Sequence, residues 1–97
     1  MYTINDFHGV KIGRNTIDCI EMLDHETCLL SFEPVEDGEN LITTQAERWL
    51  DENKWKFVDN YYDKDGMFLN SVESQRLCGL EIKQIKDVIN EFLKQVK

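Results

Sequence analysis

The sequence predicts a small α+β fold in which two helices pack on an antiparallel sheet of about five strands, in the order β-β-β-α-β-β-α. Short runs of alternating apolar and polar residues, typical of strands, occupy the first third of the chain and recur between residues 55 and 72. A helix-start pattern stands at Thr44, and the C-terminal segment carries apolar residues at helical spacing.

Three strands are predicted in the first third, from Val10 to Ile12, from Thr16 to Leu23 and from Cys28 to Glu33. The turn-forming clusters Gly13–Asn15 and Asp24–Thr27 separate them. In the third strand both alternating sets of residues are partly apolar. This pattern indicates that one face packs on a helix while the other face is half covered.

The middle of the chain is predicted to form a loop followed by a helix. The segment Pro34 to Asn40 holds the only proline and an acidic run around Gly38, so we expect a loop there. Thr44 and Glu47 stand three residues apart, as in a capping box, where each side chain satisfies a free backbone N–H. The predicted helix starts at Thr44 and ends near Asn53. Its buried stripe consists of Ala46, Trp49 and Leu50.

The second half is predicted to form a hairpin and a final helix. Trp55 to Tyr62 alternates with the period of a strand, and Asp63–Gly66 is a turn in which Gly66 can take positive φ. Met67 to Val72 is the second strand of that hairpin. The last helix shows one apolar face. This face comprises Ile82, Ile85, Ile89, Phe92, Leu93 and Val96.

Length and composition indicate one compact domain spanning residues 1–97, since 41% of the residues are hydrophobic. Met1–Asp6 lacks the basic start and apolar run of a signal peptide, and no stretch is apolar enough to span a membrane. The three cysteines, Cys19, Cys28 and Cys78, are an odd and unclustered set, which favours reduced thiols packed in the core. We therefore expect a cytoplasmic protein.

The charge distribution is the most informative feature for function. The chain holds 19 acids against 11 Lys and Arg residues, a net charge of −8. From Asn15 to Glu47 there are nine acids and no Lys or Arg, so the remainder of the chain is close to neutral. A field of this kind repels nucleic acid and membrane surfaces and attracts basic partners.

No motif for catalysis, a metal or a cofactor emerges. With Gly66 at the sixth position of a calcium loop, Tyr61 and Val72 would occupy the first and last ligand positions, so the turn reading is favoured. His25 and Cys28 are two candidate metal ligands, but no paired spacing supplies two more. The two histidines lie in no recognisable catalytic context, and the glycines are scattered. The sequence predicts a protein that is not an enzyme and needs no cofactor.

The leading hypothesis is an inhibitor that imitates nucleic-acid charge and occupies the basic nucleic-acid-binding surface of a partner protein, as phage-encoded blockers of CRISPR or restriction machinery do. It would bind no nucleic acid and no membrane itself. An exposed tyrosine, Tyr62, is a candidate interface anchor. The predicted partner-binding residues are Asp18, Glu21, Asp24, Glu26, Glu33, Glu36, Asp37, Glu39 and Tyr62.

Three alternatives stay open at this stage. An immunity protein or antitoxin that neutralises a cognate toxin, such as a nuclease, would use the same electrostatic attraction. An adaptor or assembly subunit would bind through an apolar strand edge or helix face, and its binding would be insensitive to salt. The acidic segment can also be a solvated face that keeps a small protein soluble.

Overall fold

The computed structural model describes residues 2–3 and 7–95, with the side chains of residues 7–95. The described part of the chain forms eight strands and one helix. They are β1 Tyr2–Thr3, β2 Lys11–Ile12, β3 Asn15–Met22, β4 Thr27–Phe32, β5 Val35–Asp37, β6 Asn40–Trp49, β7 Lys54–Tyr62, β8 Phe68–Glu73 and α1 Gly79–Gln95.

Seven of the described strands form one antiparallel sheet. Six of them follow one another in the order β1-β3-β4-β6-β7-β8, and the seventh, β5, pairs with β6. β5 continues the direction of β4 and pairs along the same edge of β6, so β4 and β5 form one long ribbon. The short β2 makes a separate ladder with the first residues of β3. The molecule is elongated, with principal extents of 41 × 24 × 23 Å.

The predicted fold class of two helices on a five-stranded sheet is wrong, because the segment from Thr44 to Asn53 is not a helix. It forms most of β6, the long central strand, and the four-residue turn that follows it. Thr44 does not cap a helix: its hydroxyl donates to Asp59 Oδ1 across the sheet at 2.8 Å. Alternate residues Ile42, Thr44 and Ala46 are buried, and β6 pairs with neighbours on both edges. Tertiary pairing therefore outweighs a local capping pattern.

The predicted loop from Pro34 to Asn40 is also partly wrong, since it contains β5. Val35 pairs with Ile42 and Asp37 pairs with Asn40, which leaves a two-residue turn between β5 and β6. Gly38 occupies this turn with φ of 64°, a conformation that other residues adopt at a cost. The other predicted strands and the last helix are confirmed, with boundaries shifted by one to three residues.

The core lies between α1 and one face of the sheet. Ile85, Ile89 and Phe92 of the predicted helical face are fully buried, whereas Val96 lies outside the described residues. The helix begins with a capping contact in which Glu81 Oε1 accepts the Cys78 N–H at 2.9 Å. The buried residues that α1 meets come from β2, β3, β4 and β6, with Leu77 before the helix. They are Ile12, Ile17, Ile20, Cys28, Leu30, Phe32, Ala46 and Leu77.

The cysteines only partly match their predicted place in the core. All three are free, but only Cys28 is buried; Cys19 is half-buried and Cys78 is exposed before α1. Burial raises the pKa of Cys28 to about 12. Burial also raises the pKa of Cys19 and is the larger cause there; repulsion from Glu21 is the second. Both thiols are therefore protonated and unreactive at neutral pH.

A buried carboxylate fixes the chain where β8 leaves the sheet. Asp59 is fully buried on β7, and its Oδ1 accepts hydrogen bonds from the hydroxyls of Thr44 and Ser74 at 2.8 Å. Its Oδ2 accepts the backbone N–H of Gln75 at 3.1 Å. Arg76 then donates through Nη1 to Thr44 Oγ1 at 2.9 Å. This network links β6, β7 and the segment that leads into α1.

Candidate partner-binding surface

The eight predicted acidic contact residues lie on β3, in the turn between β3 and β4, and on or beside β5. Seven of them are exposed, and Glu21 is half-buried. Thr27 to Asp37 spans ten residue steps, or about 33 Å at 3.3 Å per step. β4 itself carries no acid, so the eight carboxylates are not evenly spaced over that length. The acids do not form a single cluster but gather toward the two ends.

The first end is the turn between β3 and β4. Asp24 Oδ1 accepts the backbone N–H groups of Glu26 and Thr27, both at 2.8 Å. Both bonds lower the pKa of Asp24, and the bond from the Glu26 N–H has the larger effect. Leu50 N–H donates to Glu26 O at 2.7 Å and brings the β6–β7 turn alongside. Repulsion from Asp51 in that turn raises the pKa of Glu26, so the two carboxylates are close neighbours.

The second end surrounds β5. Glu33 precedes this strand, Glu36 and Asp37 belong to it, and Glu39 lies in the turn to β6; all four are exposed. Glu36 pairs with Leu41, which pairs in turn with Tyr62. Tyr62 is thus two strands from Glu36, about 10 Å away at 4.8 Å per strand. Tyr62 is half-buried, and its ring meets Phe68 edge-on with centroids 5.7 Å apart.

The segment from Asn15 to Glu47 contains no Lys or Arg, but basic residues from other parts of the chain lie beside it in the fold. A cleft of about 420 Å³ beside β5 is lined by Arg14 and Arg76 together with Glu36 and Asp37. These arginines and acids do not approach within ion-pairing distance, since Glu91–Lys94 is the only ion pair of 4 Å or less among the described residues. The acidic end at β5 therefore has basic neighbours that partly reduce its field.

Between the two ends, the surface is less acidic than the sequence suggests. Glu21 pairs with Leu29, which pairs with Glu47, and Glu47 pairs with Lys56 across the face of the sheet that α1 leaves open. Asp18 stands at a bulge in β3 and is exposed. Its backbone carbonyl accepts a hydrogen bond from His8 Nδ1 at 2.6 Å. Only Asp18 and Glu21 among the predicted contacts occupy this middle stretch.

The residues of the two metal sites that the sequence argued against have structural roles or lie apart. Asp63 Oδ1 accepts the backbone N–H groups of Asp65 and Met67, both at 2.9 Å, and Gly66 has φ of 86°, as predicted for a turn. His25 is exposed in the β3–β4 turn, whereas Cys28 is buried in the core. In the described part of the chain, no group of three or more His, Cys, Asp or Glu residues lies close enough to hold a metal ion. No helix in that part is long and apolar enough to cross a membrane.

Sequence reasoning missed a second surface, which lies at β7 toward the other edge of the sheet. Because residues 40–49 form a strand rather than a helix, Trp49 pairs with Lys54 and Arg48 pairs with Trp55, which brings both tryptophans to the end of the β6–β7 hairpin on opposite faces of the sheet. A groove of about 420 Å³ there is lined by Trp49, Lys54, Trp55 and Lys56. The abundance of aromatic and Lys residues in this stretch was the available signal, but the predicted helix separated Trp49 from the others.

Comparison of the sequence with protein-family models and with curated proteins, and of the fold with solved structures, found no match.

Proposed function

We propose that this protein is a non-enzymatic inhibitor that occupies the basic nucleic-acid-binding surface of a partner protein. The observation that carries the proposal is the line of eight carboxylates on β3, in the β3–β4 turn and on or beside β5, seven of them exposed. These carboxylates gather toward the two ends of the ribbon, so a basic groove that spans its length of about 33 Å would meet a group of negative charges at each end. Tyr62 adds an aromatic contact near the β5 end.

Rigid placement of these acids favours binding. Seven of the eight lie on strands or in turns fixed by hydrogen bonds. They are Asp18 and Glu21 on β3, Asp24 and Glu26 in the β3–β4 turn, and Glu36, Asp37 and Glu39 in the β5–β6 hairpin. A pre-ordered line of charges loses little conformational entropy when it meets a basic surface. The opposite fields of the two proteins also accelerate association.

The test is capture of the partner by tagged protein at low and high salt, with a charge-reversed variant beside it. The variant Glu36→Lys with Asp37→Lys and Glu39→Lys removes the β5 end of the line. A matched control, Asp65→Lys with Asp87→Lys and Glu91→Lys, makes the same change in net charge at exposed positions elsewhere. We expect a basic nucleic-acid-handling protein to be captured by the wild type and the control, released by salt, and lost with the β5 variant. Equal capture by all three proteins would contradict the proposal.

The identity of the captured protein separates two uses of the same surface. A component of a nucleic-acid-targeting complex fits the inhibitor of CRISPR or restriction machinery, whereas a toxin nuclease fits an immunity protein. An adaptor is the second candidate, favoured by the exposed apolar residues Met67, Phe68 and Leu69 at the edge strand β8. Capture through that edge would resist salt and would survive the charge reversals.

A further inference from the structure

The groove beside Trp49 and Trp55 lies at an open edge of the sheet. β8 ends at Glu73, opposite Val58, so within the described residues no strand pairs with the first residues of β7 on that side. The next contact is a single hydrogen bond from Ser74 N–H to Phe57 O at 2.9 Å. Residues alternate in the edge to which their backbone groups point, so the N–H and C=O of Trp55 face the same open edge as those of Phe57.

Cations collect around the indole rings at this edge. The guanidinium carbon of Arg48 lies 4.7 Å from the Trp55 ring centroid, and Lys86 Nζ lies 5.4 Å from it. Lys54 Nζ lies 5.4 Å from the Trp49 ring centroid. None of these cations has a carboxylate within 4 Å, because Glu91–Lys94 is the only such pair in the described residues. Glu73 lines the same groove and Glu47 pairs with Lys56, so positive charge is in excess here but is partly neutralised.

The two faces of the open edge differ in chemistry. Lys54 and Lys56 pair with Trp49 and Glu47 on the face that α1 leaves open. Trp55 and Phe57 lie on the other face, where they pack against the core, their rings parallel with centroids 6.3 Å apart. Both tryptophans are half-buried. Trp and Arg are the residue types that most often dominate binding energy at protein interfaces.

We propose that this groove binds an extended acidic segment of a partner protein, which pairs with the edge of β7 as an added strand. Backbone hydrogen bonds to Trp55 give the segment its extended form, as in other cases of strand addition. Its side chains alternate between faces, so acidic residues meet Lys54 and Lys56 while apolar residues meet Trp55 and Phe57. The ligand is therefore a strand of alternating acidic and apolar residues. This surface is separate from the acidic line and opposite to it in charge.

The probe is a blocked hexapeptide in which Glu and Val alternate. Trp49 and Trp55 are the only tryptophans in the chain and both line the groove, so intrinsic fluorescence reports binding there. We expect a saturable fluorescence change. The double variant Lys54→Glu with Lys56→Glu should weaken binding at least about tenfold. The control Lys64→Glu with Lys94→Glu, which changes the net charge equally at exposed positions, should bind within about twofold of the wild type.

Three further peptides and one oligonucleotide sharpen the test. A hexapeptide of alternating Lys and Val should not bind, because its charges oppose the groove. An N-methylated Glu-Val peptide should also fail, since it cannot pair with the strand edge, whereas a scrambled peptide of the same composition should bind more weakly. Absence of binding by the Glu-Val peptide, equal binding by the N-methylated form, or binding of oligothymidylate in its place would each overturn the proposal.

Discussion

Asp59 is the residue whose environment makes the clearest stability prediction. Its buried carboxylate accepts three hydrogen bonds, from Thr44, Ser74 and the backbone of Gln75. Asp59→Ala leaves these donors without an acceptor, so we expect the free energy of unfolding to fall by about 3 kcal/mol. Urea unfolding followed by tryptophan fluorescence measures this. Asp65→Ala, at an exposed turn position, should change stability by less than about 0.5 kcal/mol. A similar small loss in Asp59→Ala would show that the network contributes little.

The acidic turn makes a prediction about pH. Hydrogen bonds from the backbone lower the pKa of Asp24, whereas repulsion from Asp51 raises the pKa of Glu26. A lowered carboxyl pKa stabilises the fold above its unfolded value, and that stability is lost as pH falls through the folded pKa. The raised pKa of Glu26 acts in the opposite sense, since it favours the fold at low pH and this contribution is lost as pH rises.

Carboxyl titration by NMR should therefore find Asp24 below and Glu26 above their ordinary pKa values. Asp51→Asn removes the repelling charge and should bring the pKa of Glu26 back toward its ordinary value, while Asp24 stays low. An unchanged pKa of Glu26 in this variant would mean that Asp51 is not its perturbing neighbour.

At the scale of elements, Thr43 distinguishes β6 from a helix that begins at Thr44. Thr43 is half-buried on β6, where it pairs with Asn60, whereas it would precede such a helix. Because Thr favours strands more than Ala does, Thr43→Ala should lower the free energy of unfolding by about 1 kcal/mol. Lys83→Ala, at an exposed position of α1, should leave stability nearly unchanged. An equally small change in Thr43→Ala would contradict a stabilising role of Thr43 in the strand.

The sequence was sufficient for those elements whose side-chain period is clear. β4 and β7 show alternation, β3 is rich in β-branched and apolar residues, β8 follows a clear turn, and α1 shows a continuous apolar face, so each is predicted near its place. β6 also alternates, but its Thr44–Glu47 spacing coincides with a capping box, and only pairing with distant strands distinguishes the two. β5 is short, begins after Pro34, and depends on the neighbouring edge of β6. No local pattern reports such a contact.

At the scale of the whole molecule, the sequence predicts that the electrostatic field is negative but not how the charges are distributed over the surface. The order of acids along the chain does not reveal that they divide between two ends of a ribbon about 33 Å long. It also does not reveal that Arg14 and Arg76 lie beside Glu36 and Asp37, because these residues are distant in sequence. The groove with opposite charge depends on the β6–β7 hairpin, which the predicted helix excluded.

Competition on the partner tests the central proposal most directly. Labelled nucleic acid bound to the captured partner is titrated with this protein, and fluorescence anisotropy reports how much nucleic acid remains bound. Charge mimicry predicts complete displacement, with a competing affinity that falls steeply as salt rises. It also predicts that Glu36→Lys with Asp37→Lys and Glu39→Lys fails to displace. A stable ternary complex in which the nucleic acid stays bound would contradict the proposal and indicate an adaptor.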